Sequence, residues 1–178
     1  MQKSILYTLL VAAVTLACGC KDKARPTAKT LPEVEVNEKA LAQYQTGVTE
    51  KLTGFDRWGK QQGNQVELLN AQGKVIGYLL LAPEKYERIE GYNNYINAAV
   101  VISTDKRIQG LAIGQHEETP RFMERIRKAG FMNSWNDLPP AEAANHKVDA
   151  VTRATYSCNA ISGEVKAITQ EYVQNFEK

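Results

Sequence analysis

Tyr95-Ile96-Asn97-Ala98-Ala99-Val100-Val101-Ile102-Ser103-Thr104-Asp105-Lys106-Arg107-Ile108-Gln109-Gly110-Leu111-Ala112-Ile113-Gly114 is the stretch on which the fold turns. Its two flanks, Tyr95 to Ser103 and Ile108 to Gly114, are rich in Val, Ile, Leu and Tyr, and polar Thr104 to Arg107 sits where a hairpin loop belongs. Upstream the arrangement recurs: Gln65 to Leu69 and Val75 to Ala82 flank Asn70-Ala71-Gln72-Gly73. Two antiparallel hairpins make a twisted sheet. Gly91-Tyr92-Asn93-Asn94 reads as the loop between them, and Gly54 to Gly63, with Trp58, reads as an earlier loop.

Helical patterns lie on either side of these runs. Pro120 can open a helix at its first position, and Phe122, Ile126 and Ala129 keep a helical spacing up to Gly130. Pro139-Pro140 makes the start of Asp137 to Lys147 irregular. From Asn159 to Phe176 the set Ile161, Val165, Ile168, Tyr172 and Phe176 draws one apolar stripe along a helix of about five turns. A shorter helix is expected over Glu38 to Gln45, with Asn37 as N-cap and Gly47 at its end. The order of elements predicts an α+β fold: a twisted antiparallel sheet with helices packed on one face, including a long C-terminal helix.

The length of 178 residues fits one domain with an anchor and a tether, and the 43% apolar and 24% charged composition supports a packed core. A net charge of +2 without a dense basic cluster argues against a nucleic-acid partner. Lys3 followed by the mostly apolar run Ile5 to Ala17 reads as an export signal, because a membrane-crossing helix needs roughly 20 apolar residues. Cys20, preceded by Gly19 and by Ala17 at the third position back, resembles the lipidated cysteine of bacterial lipoproteins; Cys18 is the alternative, and a plain secretory signal is a third reading. The expected organisation is a signal peptide over 1–19, a lipid-anchored tether over 20–31 and a folded domain over 32–178 in an extracytoplasmic, membrane-anchored protein. Cys158 would then be the one thiol left, so no intramolecular disulfide can form, and two distant histidines, His116 and His146, do not suggest a structural zinc site.

Chemistry is concentrated before the last helix, in Asp149-Ala150-Val151-Thr152-Arg153-Ala154-Thr155-Tyr156-Ser157. Hydroxyls at 152, 155 and 157 stand where the chain enters a helix, whose free N–H groups and positive dipole end suit a phosphate. The same residues also suit ordinary N-capping, by Thr155 or Ser157. Spacing alone leaves both readings open.

The segment resembles the flavinylation motif Asp-x-x-Ser/Thr-Gly-Ala-Thr of the FMN-binding domain family, found in the flavin subunits of the Rnf complex and the sodium-translocating NADH:quinone reductase. Asp149, Thr152, Ala154 and Thr155 match it, His116-Glu117-Glu118-Thr119-Pro120 resembles the family's Glu-Thr-Pro element, and Gly91-Tyr92 resembles its Gly-Tyr. The resemblance runs from about Gly91 to Ile168. It implies FMN bound covalently to Thr155 through a phosphoester, installed by a flavin transferase that needs Asp149. It implies further that Glu118 and Thr119 approach the flavin or its ribityl chain, and that Thr152, Arg153, Ala154, Tyr156 and Ser157 surround the phosphate turn. Arg153 stands where the motif has glycine, and either brings a cation to the phosphate or obstructs a turn that glycine permits.

The resulting expectation is an exported electron carrier that hands electrons between redox partner proteins at the membrane, with no catalytic residue or metal assigned. The rival readings are a non-redox lipoprotein of the same fold that binds another ligand or partner, and a flavin-dependent reductase acting on a small acceptor. His116 and Cys158 read more simply as a surface residue and a packed residue, and Trp58, Tyr92 and Tyr95 stay unassigned.

Overall fold

A computed structural model describes residues 31–177; the proposed signal peptide and both candidate lipidated cysteines lie outside them. The four strand-like runs become β3 (Gln65–Leu69), β4 (Val75–Leu80), β5 (Ile96–Ser103) and β6 (Ile108–His116). Two further strands, β1 (Glu33–Val34) and β2 (Arg57–Gln62), precede them, and the six pair in sequence order as an antiparallel meander. Trp58 therefore sits in a strand, opposite Leu68, and not in the loop its flanking glycines suggest. Arg57 to Gln62 is polar apart from Trp58, so it carries little strand signal alone and takes its conformation from the ladder that β3 offers.

β5 shows why the sheet is covered on both faces. Val100 and Ile102 join one core cluster and Ala99 and Val101 another, so alternation along a strand sends apolar side chains both ways. One face packs on α3 (Pro120–Lys128), the short α4 (Pro140–Ala143) and α5 (Thr155–Phe176), whose Ile161, Val165, Ile168 and Tyr172 are buried as the apolar stripe predicts. Each such side chain contributes on the order of 1.5–3 kcal/mol by leaving water. The opposite face packs on α1 (Glu38–Leu41), a 3₁₀ turn and α2 (Gln45–Lys51), through Leu41, Tyr44 and Val48. The α+β architecture with a long C-terminal helix is as expected, and the N-terminal helical segment adds a layer on the second face.

Helix ends follow local chemistry. The Asn37 side chain accepts from the Ala40 N–H at 3.1 Å, as its N-cap position predicts. Pro120 is the first residue of α3, and Gly130 beyond its end takes φ 73°. Gly47, in contrast, ends nothing. It lies inside α2, where an added Cβ would stand 2.7 Å from the Ala112 Cα, so its role is to let the helix touch β6. The last helix begins at Thr155, four residues before the apolar stripe makes it legible.

Candidate functional site

Three sequence motifs meet at one carboxylate. Glu118, in the link between β6 and α3, is 3% exposed. It accepts a hydrogen bond from Ser157 Oγ at 2.5 Å, in the first turn of α5, and one from the Asn93 backbone N–H at 2.9 Å, in the turn before β5. That turn closes on itself through Gly91 N–H to Asn94 O at 2.9 Å. A methyl group on Gly91 would overlap the Glu118 carboxylate and lie 2.8 Å from Asn94 O, which explains glycine at this position. Asn93 Nδ2 also donates to the Glu117 carbonyl at 2.8 Å, and Asn94 Nδ2 to the Glu117 carboxylate at 3.2 Å. The Gly-Tyr turn, the Glu-Thr-Pro link and the helix start thus form one unit.

Around this unit lies a cavity of ≈ 230 Å³ lined by Tyr92, Phe122 and the run Arg153 to Ser157. Tyr92 and Phe122 meet edge to face, with ring centroids 5.3 Å apart. Tyr92 and Tyr156, which line the cavity, are 59% and 67% exposed. The cavity is smaller than the roughly 300–1,000 Å³ typical of sites that enclose a small molecule, so it is an open seat. A wider groove of ≈ 670 Å³ between Asn37–Gln43 and Gly114–Gln115 carries none of the motif residues.

At the helix start the N-cap is Ala154, which has no side chain able to accept a hydrogen bond. The capping reading therefore fails for Thr155, the first helical residue, and for Ser157, whose hydroxyl is committed to Glu118. The first-turn N–H groups of a 22-residue helix are left to the cavity, with the positive end of the helix dipole behind them. Before the helix, Ala154 N–H donates to Val151 O at 2.9 Å, closing a turn in which Arg153 takes φ 66°. In such a turn the third residue favours glycine when φ is positive. Arg153 thus adopts, in this turn, the backbone region that glycine favours.

The remaining sequence-predicted residues separate. Thr155, Arg153, Ala154, Tyr156 and Ser157 line the cavity. Glu118 and Thr119 stand behind its wall: Glu118 is buried, and Thr119 is the N-cap of α3 with Oγ1 3.5 Å from Asn93 Nδ2. Thr152 is exposed in the preceding turn, and Asp149 is exposed in a different groove, beside Ile89, His146, Lys147 and Lys166. Cys158 is buried, accepts from the Val151 N–H at 3.4 Å, and burial pushes its thiol pKa up. His116 is exposed at the end of β6. Phe122, which its helical spacing places in α3, lines the cavity together with Tyr92. The available signal was position: Tyr92 belongs to the Gly-Tyr element, and Phe122 stands two residues after Pro120.

This residue set fits FMN. An uncapped helix start beside a guanidinium suits a phosphate, and three aromatic side chains suit an isoalloxazine ring. No curated protein matches the chain. Residues 91–170 match the family model of the FMN-binding domain, a span that includes all three motifs. This part of the chain is accordingly an FMN-binding domain, and FMN is the cofactor of the protein.

Proposed function

We propose that the protein is an exported, membrane-anchored electron carrier whose FMN is bound covalently to Thr155. The observation that carries this reading is the position of Thr155. It is the exposed first residue of α5, no cap engages its hydroxyl, and it shares a cavity with Arg153, Tyr92, Phe122 and Tyr156. A flavin transferase would supply FAD. Thr155 Oγ would bond to the FMN phosphorus as the P–O–P anhydride of FAD breaks; AMP leaves with the bridging oxygen, and the hydroxyl proton passes to the transferase. Asp149 would contact that enzyme rather than the flavin, a reading supported by its exposure outside the cavity.

When bound, FMN supplies one- and two-electron chemistry. The chain's part is to hold it. First-turn N–H groups and Arg153 would meet the phosphate, and Tyr92, Phe122 and Tyr156 would flank the ring. An open seat suits a carrier, since partner proteins at the membrane must approach the flavin closely. Lipidation at Cys20, or at Cys18, would keep the domain beside them, and covalent attachment would prevent loss of a cofactor that cannot be replenished outside the cytoplasm.

The test is intact mass and in-gel flavin fluorescence after denaturation, on the chain co-expressed with a flavin transferase. A mass gain of one FMN that Thr155→Ala lacks is the expected result. Without that gain, while a control substrate is loaded, the covalent anchor is lost and a domain that holds FMN without a covalent bond becomes the better reading.

A further inference from the structure

We propose that Glu118 is a positioning residue that sets the FMN seat without touching the cofactor. This rests on the assignment of the cavity to FMN. The two walls of the cavity come from segments far apart in sequence: Tyr92 from the turn before β5, and Arg153 to Ser157 from the start of α5. One carboxylate joins them, through Asn93 N–H at 2.9 Å on one side and Ser157 Oγ at 2.5 Å on the other. Glu118 itself is 3% exposed and is absent from the cavity lining. Its backbone leads, through Thr119, into α3, which carries Phe122.

The geometry makes the tie tight. Gly91 has no room for a methyl group against the carboxylate, so the turn cannot slide past Glu118 without breaking contact. The side chain of Tyr92, in contrast, is largely exposed and has few partners of its own to hold it. Its placement is therefore inherited from the backbone of residues 91–94. Releasing that backbone would widen the seat at the aromatic wall while the helix start, built on α5, stayed in place.

This function needs two hydrogen-bond contacts and the side-chain length, not a negative charge. A glutamine has both: its carbonyl can accept from Asn93 N–H, and its amide can donate to Ser157 Oγ. The test uses the full chain purified without flavin transferase, titrated with FMN by flavin fluorescence, together with amide hydrogen exchange. Glu118→Gln is expected to bind FMN within about threefold of wild type, and Glu118→Ala about tenfold more weakly. In Glu118→Ala, exchange should quicken at Asn93 and at residues 155–157 while β5 amides stay protected. Ser157→Ala, which cuts one arm of the tie and keeps the carboxylate, should weaken binding about threefold and covers the case in which Glu118→Ala does not fold.

Three results would overturn the proposal. Equal loss in Glu118→Gln and Glu118→Ala would mean that the charge acts on the cofactor directly. Unchanged affinity in both Glu118→Ala and Ser157→Ala would mean that the tie does not shape the seat. Exchange that quickens uniformly across the domain would mean a general structural role. Failure of the wild-type chain to bind FMN is read before any variant, and would remove the site itself and, with it, the positioning role of Glu118.

Discussion

Arg88 and Glu164 meet across 76 residues of chain, with Arg88 Nε donating to Glu164 Oε1 at 2.8 Å and its Nη2 2.7 Å from the same oxygen. Glu164 lies on the buried face of α5 and Arg88 in the connection between β4 and β5. Arg88 also donates to Asn97 Oδ1 at 2.9 Å and to the Ile96 carbonyl at 3.3 Å, and lies over the Tyr95 ring at 4.8 Å. This connection carries Gly91 and Tyr92, so a half-buried ion pair holds one end of the segment and Glu118 the other.

The pair is asymmetric, and its two deletions should differ. The side chain of Glu164 is 2% exposed and that of Arg88 32%. Arg88→Met leaves a buried carboxylate with no cation, a loss of about 3–5 kcal/mol when a buried pair is broken in this way. Glu164→Gln leaves a guanidinium that keeps Asn97, the Ile96 carbonyl and some water, so it should cost about 2 kcal/mol or less. Urea denaturation of the two variants reads the order directly. If Glu164→Gln were the more damaging, the burial of Glu164 would not be the controlling term.

Arg153 offers a test that separates fold from ligand. A non-glycine residue at φ 66° costs about 1–2 kcal/mol, which glycine would not incur, although glycine is more flexible in the unfolded chain. Arg153→Gly should therefore leave stability within about 1 kcal/mol of wild type while weakening FMN binding, because the cation at the cavity is gone. Arg153→Val should lose about 1–2 kcal/mol, since a β-branched residue is strained further in this region. Thermal denaturation and FMN titration of the two variants give the stability and the binding separately.

Gly47→Ala tests whether space or propensity governs α2. In an ordinary helix the change would add about 0.5–1 kcal/mol of stability. Here the new methyl group would stand 2.7 Å from the Ala112 Cα and 2.8 Å from its Cβ, so the helix must lift from β6. A loss of about 1–3 kcal/mol is expected, as for other overpacked sites. A gain in the denaturation midpoint would show that the two backbones separate at little cost.

Gly47 also marks where the sequence misleads. Glycine after Tyr44 looks like a helix end because termination and close approach draw on the same residue, and only the partner across the gap, Ala112, tells them apart. The four central strands are legible because their apolar runs and turn residues are local signals. β2 is not, since Arg57 to Gln62 becomes a strand only through the neighbour that β3 provides. In the site, the motif residues from Arg153 to Ser157 could be found in the chain, whereas the convergence on Glu118 joins positions 25 and 39 residues away and has no local trace. Tyr92 and Phe122 were visible as residues, but their pairing exists only once β5, β6 and α3 are assembled.

Alkaline stability should report on two buried tyrosines. Burial, aided by the negative charge of Glu164 and opposed by Arg88, raises the Tyr44 pKa from near 10 to about 12. Burial, with Glu177 and Tyr78 adding to it, raises Tyr172 to about 12 as well. Because the unfolded chain loses these protons at lower pH than the folded one, their contribution is complete below pH 10 and disappears as pH rises from 10 to 12. Each shift corresponds to about 3 kcal/mol. The urea midpoint should therefore fall steeply across that interval, with tyrosinate absorbance rising in step with unfolding. Tyr44→Phe and Tyr172→Phe should each flatten part of the decline, and a decline unchanged in the double variant would assign the alkaline loss to other groups.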